Sequence, residues 1–175
     1  LKIREEIGVK QGIANALANM GSIYFYLSDY SKALEYQLRC LKICKETGNI
    51  LVMAQTLGNI GNIYENLSDS DCVKLSIAPA AKYPKALEYQ FQALKIEEAL
   101  EAKQNIAITL GNIGNIYREQ KKYSLALEYS GKGQQLAMEL GNLDNEKSIQ
   151  RILYATFKAI GNNAKALEHY ERYIL

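Results

Sequence analysis

An all-α stack of helix-turn-helix repeats is the fold class this sequence predicts, on three observations. A five-residue run recurs along the 175-residue chain. Met20-Gly21-Ser22-Ile23-Tyr24 returns as Ile60-Gly61-Asn62-Ile63-Tyr64, as Ile113-Gly114-Asn115-Ile116-Tyr117, and faintly as Leu153-Tyr154-Ala155-Thr156-Phe157. A second helix-forming motif follows each run: Lys-Ala-Leu-Glu-Tyr at 32–36 and 85–89, Leu-Ala-Leu-Glu-Tyr at 125–129 and Lys-Ala-Leu-Glu-His at 165–169. Apolar residues within these segments fall three or four apart, and nothing alternates as a strand would. Self-similarity at a fixed period marks a repeat architecture, in which each unit buries its apolar face only against its neighbours.

Each unit is therefore a helix A followed by a helix B. Gly21 to Gly61 spans 40 residues and Gly114 to Tyr154 spans 40, whereas Gly61 to Gly114 spans 53, a surplus of 13. The division is the end of a preceding repeat at 1–9, repeats at 10–49, 50–102 and 103–142, and a partial repeat at 143–175. The second repeat carries an insertion at about 70–82, between its two helices. The spacing predicts a helix B remnant at 1–7, helices A at 11–28, 51–67, 104–121 and 144–160, and helices B at 31–47, 84–100, 124–140 and 164–175. Gly8, Gly48 and Gly141 follow apolar helix ends, where a left-handed residue closes a helix; Glu101 stands at that place in the second repeat.

Leu17, Met20, Tyr24 and Leu27, like Leu57, Ile60, Tyr64 and Leu67, form one apolar stripe per helix A, expected to face neighbouring helices. Gly21, Gly61 and Gly114 lie inside helices, where glycine costs about 0.5–1 kcal/mol relative to alanine. Close approach of helix B would repay that cost, with Ala33, Ala86, Ala126 and Ala166 expected against these glycines. Nine of the 13 tyrosines fall at three equivalent places, which makes them architecture.

A net charge of +2 with Lys and Glu interspersed offers no basic block for a phosphate backbone, so nucleic acid is not an expected partner. Polar residues interrupt every apolar stretch well short of the roughly 20 residues that span a bilayer, so no membrane segment is expected. The chain opens at Leu1 within the repeat pattern, placing any targeting signal outside it and leaving the compartment undetermined. Cys40, Cys44 and Cys72 read as reduced thiols.

These residues resemble the tetratricopeptide repeat family, whose helix A carries W-x2-L-G-x2-Y and whose helix B carries A-x3-F. Leu17, Leu57 and Leu110 stand in place of the Trp. Gln37, Gln90 and Ser130 replace the helix B aromatic, which only Tyr170 keeps. The 40-residue period and the Leu-Gly-Asn-Ile-Gly-Asn-Ile-Tyr wording at 57–64 and 110–117 are similar to the longer-repeat branch. That branch includes Pins-type adaptors, kinesin light chains and bacterial regulatory arrays. The resemblance implies a right-handed superhelical solenoid whose helices A line a concave, peptide-binding groove.

On that reading one stripe of helix A faces a partner. It holds Asn15, Asn19, Ser22 and Tyr26 in the first repeat, Gln55, Asn59, Asn62 and Asn66 in the second, and Ile108, Asn112, Asn115 and Glu119 in the third. Asparagine costs roughly 0.5–0.7 kcal/mol against alanine in a helix, so a row of them points to another use. A side-chain amide both donates and accepts, and can pair with the N–H and C=O of an extended peptide. Glu65 and Arg118 beside the stripe would select ligand charge. The alternative is that the amides bond between adjacent helices.

No catalytic, metal or cofactor site is expected. His169, the single histidine, occupies the place of Tyr36, Tyr89 and Tyr129 and reads as packing. The Gly-x-x-Gly pairs lack the strand-turn-helix setting of a phosphate loop. Adjacent Glu97 and Glu98 read as solvated surface. The partner is thus a protein or peptide segment. Apolar residues of the terminal half-repeats, Ile3, Ile7, Tyr173 and Ile174, offer self-association as the rival use, since repeat arrays need polar caps.

Overall fold

The computed structural model describes residues 2–174, with side chains from residue 6 onward. Leu1, Leu175 and the side chain of Ile3 lie outside that range. Among the described residues every regular element is a helix. They are α1 (Lys2–Tyr26), α2 (Tyr30–Thr47), α3 (Ile50–Asn66), α4 (Asp69–Lys74), a 3-10 turn (Pro79–Ala81), α5 (Lys82–Ala99), α6 (Lys103–Glu119), α7 (Tyr123–Glu139), α8 (Leu143–Ala159) and α9 (Asn163–Ile174).

Short polar residues start α2, α3, α8 and α9. Asp29, Asn49, Asn142 and Asn162 each accept, through the side chain, the backbone N–H three residues on, at 3.0–3.2 Å. Left-handed residues close α2, α7 and α8: Gly48 at φ 69°, Gly141 at φ 63° and Gly161 at φ 77°. Glu101 takes φ 52° at the place of Gly48, and the six-residue bond persists, Asn49 N–H to Cys44 C=O and Ala102 N–H to Glu97 C=O. The turn geometry therefore survives the loss of its glycine.

One boundary differs from expectation. The predicted break at Gly8 does not occur, and α1 runs continuously from Lys2 to Tyr26. Gly48 and Gly141 are followed by Asn49 and Asn142, which cap the next helix; Gly8 is followed by Val9, which cannot, so the helix continues through it.

The chain divides into two compact units, residues 1–96 and 97–175. In the first, α1 pairs with α2, and α3 packs on both. Ala14 and Leu17 of α1 meet Cys40 and Cys44 of α2, with Val52 and Met53 of α3 against them. All three cysteines are free and buried. Burial, and then the neighbouring Cys40 thiol, push the Cys44 thiol up to about 12. In the second unit α6 pairs with α7 and α8 with α9, and Ala107, Ala137, Ile149 and Leu153 form the core between them.

Gly21 and Gly61 admit a different neighbour from the expected alanines. A Cβ on Gly21 would lie 2.6–2.9 Å from the side chain of Gln37, and one on Gly61 2.8–3.0 Å from that of Gln90. At Gly114 the neighbours are Ser130 and, as expected, Ala126, whose carbonyl oxygen would lie 3.1 Å from the added Cβ. The residue one turn beyond each helix B alanine fills the space, because side chains three or four apart share a helix face. Ala33, Ala86, Ala126 and Ala166 are buried, as close packing requires.

One other expectation changes. Glu97 is buried, not solvated, since it takes the core place that Cys44 and Ala137 hold in other repeats. The insertion is partly built: Ser68 and Asp71 form a reciprocal capping box on α4, Cys72 is fully buried, and α4 packs on α2.

Candidate functional site

The amide stripe begins on α1. Asn15, Asn19 and Tyr26 are exposed there, and the Ser22 hydroxyl donates to the Ala18 carbonyl at 3.1 Å. On α3, Gln55 and Asn66 are exposed, while Asn59, Asn62 and Glu65 are half-buried. Asn66 donates to the Asn62 carbonyl at 2.8 Å. On α6, Ile108 and Glu119 are exposed and Asn112, Asn115 and Arg118 half-buried.

Two buried glutamines stand behind the stripe in the first unit. Gln37 Nε2 donates to the Ala18 carbonyl at 3.1 Å. Gln90 Nε2 donates to the Gly58 carbonyl at 3.1 Å and to Asn62 Oδ1 at 2.7 Å. One stripe amide thus bonds between helices, as the alternative reading has it. The Oε1 atoms of both glutamines are buried without a hydrogen-bond partner, which is costly for an amide oxygen out of water.

Stripe residues line a cavity in each unit. Between α1 and α3, Ser22, Phe25, Tyr26, Asn59, Asn62 and Ile63 surround a space of about 120 Å³ with Gln37 at its back. Between α6 and α8, Asn112 and Asn115 join Ile108, Asn145, Ser148 and Arg151 around about 260 Å³. Asn145 Nδ2 is buried there without a partner. Gln37, Phe25, Asn145, Ser148 and Arg151 were not among the expected site residues. Ser148 lies 40 residues beyond Ile108, so extending the stripe by one period reaches it.

Charge beside the stripe is partly spent internally. The Arg118 guanidinium donates to Asn115 Oδ1 at 2.8 and 3.1 Å and to Glu119 Oε1 at 2.6 Å. It holds the third-repeat amide in place as well as offering charge.

Away from the stripe, aromatic pairs join helix A to helix B. Tyr24 stacks on Tyr36, Tyr64 on Tyr89 and Tyr117 on Tyr129, with centroids 5.3–5.6 Å apart. A lysine lies over the helix A ring of each pair: Lys32, Lys85 and Lys122. Burial raises the Tyr64, Tyr89 and Tyr117 hydroxyls above their usual range. His169 makes the same contact with Phe157, and its Nδ1 lies 2.6 Å from Gln150 Oε1. An amide oxygen only accepts, so Nδ1 carries the proton. Among the described residues no three His, Cys, Asp or Glu side chains gather to hold a metal ion, and no helix is long and apolar enough to cross a membrane.

Residues 13–47, most of the α1–α2 pair, match the tetratricopeptide repeat family. No curated protein matches the chain. Among solved structures it is similar to aspartyl phosphate phosphatase F from Bacillus subtilis, at 19% identity and a TM-score of 0.78, over 94% of this chain and 40% of that one. A Rap protein complexed with competence and sporulation factor gives 18% and 0.78, over 97% and 43%. BtubC (BKLC) from P. vanneervenii gives 20% and 0.73, over 91% and 61%. The chain spans about two-fifths of the first two. At these identities the likeness establishes the fold: an all-α array of tetratricopeptide-type helix pairs.

Proposed function

We propose that this array of tetratricopeptide-type repeats is a protein-interaction module that holds a partner segment along the amide-bearing faces of its helices A. The placement of the two cavities supports this reading. Each opens between successive helices A of one unit, and stripe amides line both. Half-buried amides at the edge of a cavity can grip a peptide backbone while the cavity takes one of its side chains. A bound factor on a similar fold, in the Rap protein complex, agrees with it. The phosphatase named among the similar structures shares 19% identity with this chain, which carries the fold and not an activity.

A random peptide display library panned on the immobilised chain tests the proposal. Asn59→Ala with Asn112→Ala should weaken the selected peptide by about 0.5–1.5 kcal/mol per lost hydrogen bond, with the melting temperature unchanged or raised. Full affinity in a destabilised double variant would show that the amides only pack.

A further inference from the structure

We propose that the cavity between α1 and α3 takes the side-chain carboxamide of an asparagine or glutamine in the partner segment; the inference rests on the reading of the stripe as a peptide-binding face. Comparison of two repeats carries the argument. Ser22 and Asn62 hold one place of the repeat, and so do Gln37 and Gln90, each four residues beyond a helix B alanine. Both glutamines are fully buried, and the Nε2 of each donates to the helix A carbonyl at one equivalent place, Ala18 or Gly58, at 3.1 Å. In the second repeat Asn62 Oδ1 accepts the other Nε2 proton at 2.7 Å. In the first, the shorter Ser22 turns its hydroxyl to the Ala18 carbonyl of its own helix and lines the cavity, with Gln37 at its back. The first repeat therefore has a cavity at the place where the second has a carboxamide.

Gln37 is left with hydrogen bonds to offer. The Ala18 bond uses one of its two Nε2 protons, and Oε1 has no partner among the described residues. Turning the amide over would set Oε1 against the Ala18 carbonyl, oxygen to oxygen, so Nε2 stays on α1. A second carboxamide can pair with this one amide to amide, accepting from Nε2 and donating to Oε1 through separate atoms. A hydroxyl would have to serve both from one oxygen, and an alkyl group would leave Oε1 unpaired. Charge is disfavoured as well. No described residue lining the cavity is charged, so an ammonium or carboxylate would enter it without a counter-ion. Size agrees: a cavity of about 150 Å³ holds benzene, and the space of about 120 Å³ here admits a carboxamide with the methylene that carries it.

A random peptide display library panned on the immobilised chain tests this. The selected peptides should share an asparagine or glutamine at one position, and its exchange for the isosteric aspartate or glutamate should weaken binding about tenfold or more. Ser22→Asn supplies the carboxamide from within, so this variant should melt no lower than the unaltered chain and bind the same peptide about tenfold more weakly. Peptides that lose affinity to Asn19→Ala, a stripe residue outside the cavity, but share no carboxamide overturn the inference and leave the stripe reading standing. Full affinity in the Ser22→Asn chain also overturns it. A library that yields no binder overturns both. The exchange within the peptide is measured on the unaltered chain, so it decides the matter should Ser22→Asn melt lower.

Discussion

Phe157 and His169 lie with ring centroids 5.1 Å apart and planes 5° from parallel, the arrangement that Tyr64 and Tyr89 make at 5.6 Å and 9°. A histidine has been fitted into a tyrosine's place without changing the contact. Lys165 lies over the Phe157 ring as Lys85 lies over Tyr64.

That substitution makes stability depend on pH. Burial, with smaller contributions from Arg172 and Lys165, holds the His169 imidazole below its usual value of 6.5. The folded chain therefore favours the neutral ring. Its stabilisation is complete above the unfolded value and is lost as pH falls through the folded one. The melting temperature should drop between neutral pH and pH about 5, and His169→Tyr should flatten that drop. An equal drop in the variant assigns it to other groups.

Glu97 has the opposite sign. Burial lifts its carboxyl above 4.5 despite a hydrogen bond from Thr109, and its Oε2 has no partner. The protonated form is favoured on folding, so its contribution is complete below the unfolded value and is lost as pH rises through the folded one. Glu97→Gln should raise the melting temperature at neutral pH, with the gain shrinking as acid is added. A pH-independent gain would place the effect in packing.

Gly61→Ala should cost about 1–3 kcal/mol in denaturant melts, because its Cβ would press on buried Gln90. Shortening Gln90 to Ala in the same chain should recover part of that loss. Strict additivity in the double-mutant cycle would separate the two residues.

Limited proteolysis should cut first within 75–81, between α4 and α5, where Ser76 has φ 54° and Ala78, Pro79 and Ala80 are exposed. Ser68→Ala removes the bond that Ser68 Oγ accepts from the Asp71 N–H and the one it donates to Asp71 Oδ2, and should destabilise that helix by about 1 kcal/mol, spreading cleavage into α4. Initial cuts inside α1, α3 or α6 would contradict this.

At α2, α3 and α8 the signals agree: apolar spacing, a capping Asn or Asp, and a left-handed closing residue mark the same boundaries; α6 and α7, without such a cap, were legible from apolar spacing alone. Gly8 shows the limit, since a glycine closes a helix only when the residues after it can start another. The partner of the interior glycines was less legible. Sequence shows which positions recur, but whether Ala33 or Gln37 meets Gly21 depends on how far the two helices are rotated. Glu97 was misplaced because its neighbour Glu98 suggested a surface pair, while its 53-residue offset from Cys44 was hidden by the insertion. At the stripe the amides were visible as a pattern. Their buried supports, Gln37 and Gln90, looked only like departures from an aromatic consensus.

The stacked aromatic partners are 12 residues apart in the first, third and fourth repeats and 25 apart in the second. Closing a flexible loop twice as long costs only about 0.6 kcal/mol more, so the second hairpin loses little in equilibrium stability. The effect on rate is larger in kind, because contacts between distant residues form later than local ones. The repeats should thus zip up as separate local hairpins, with Tyr64 and Tyr89 the last of these pairs to meet.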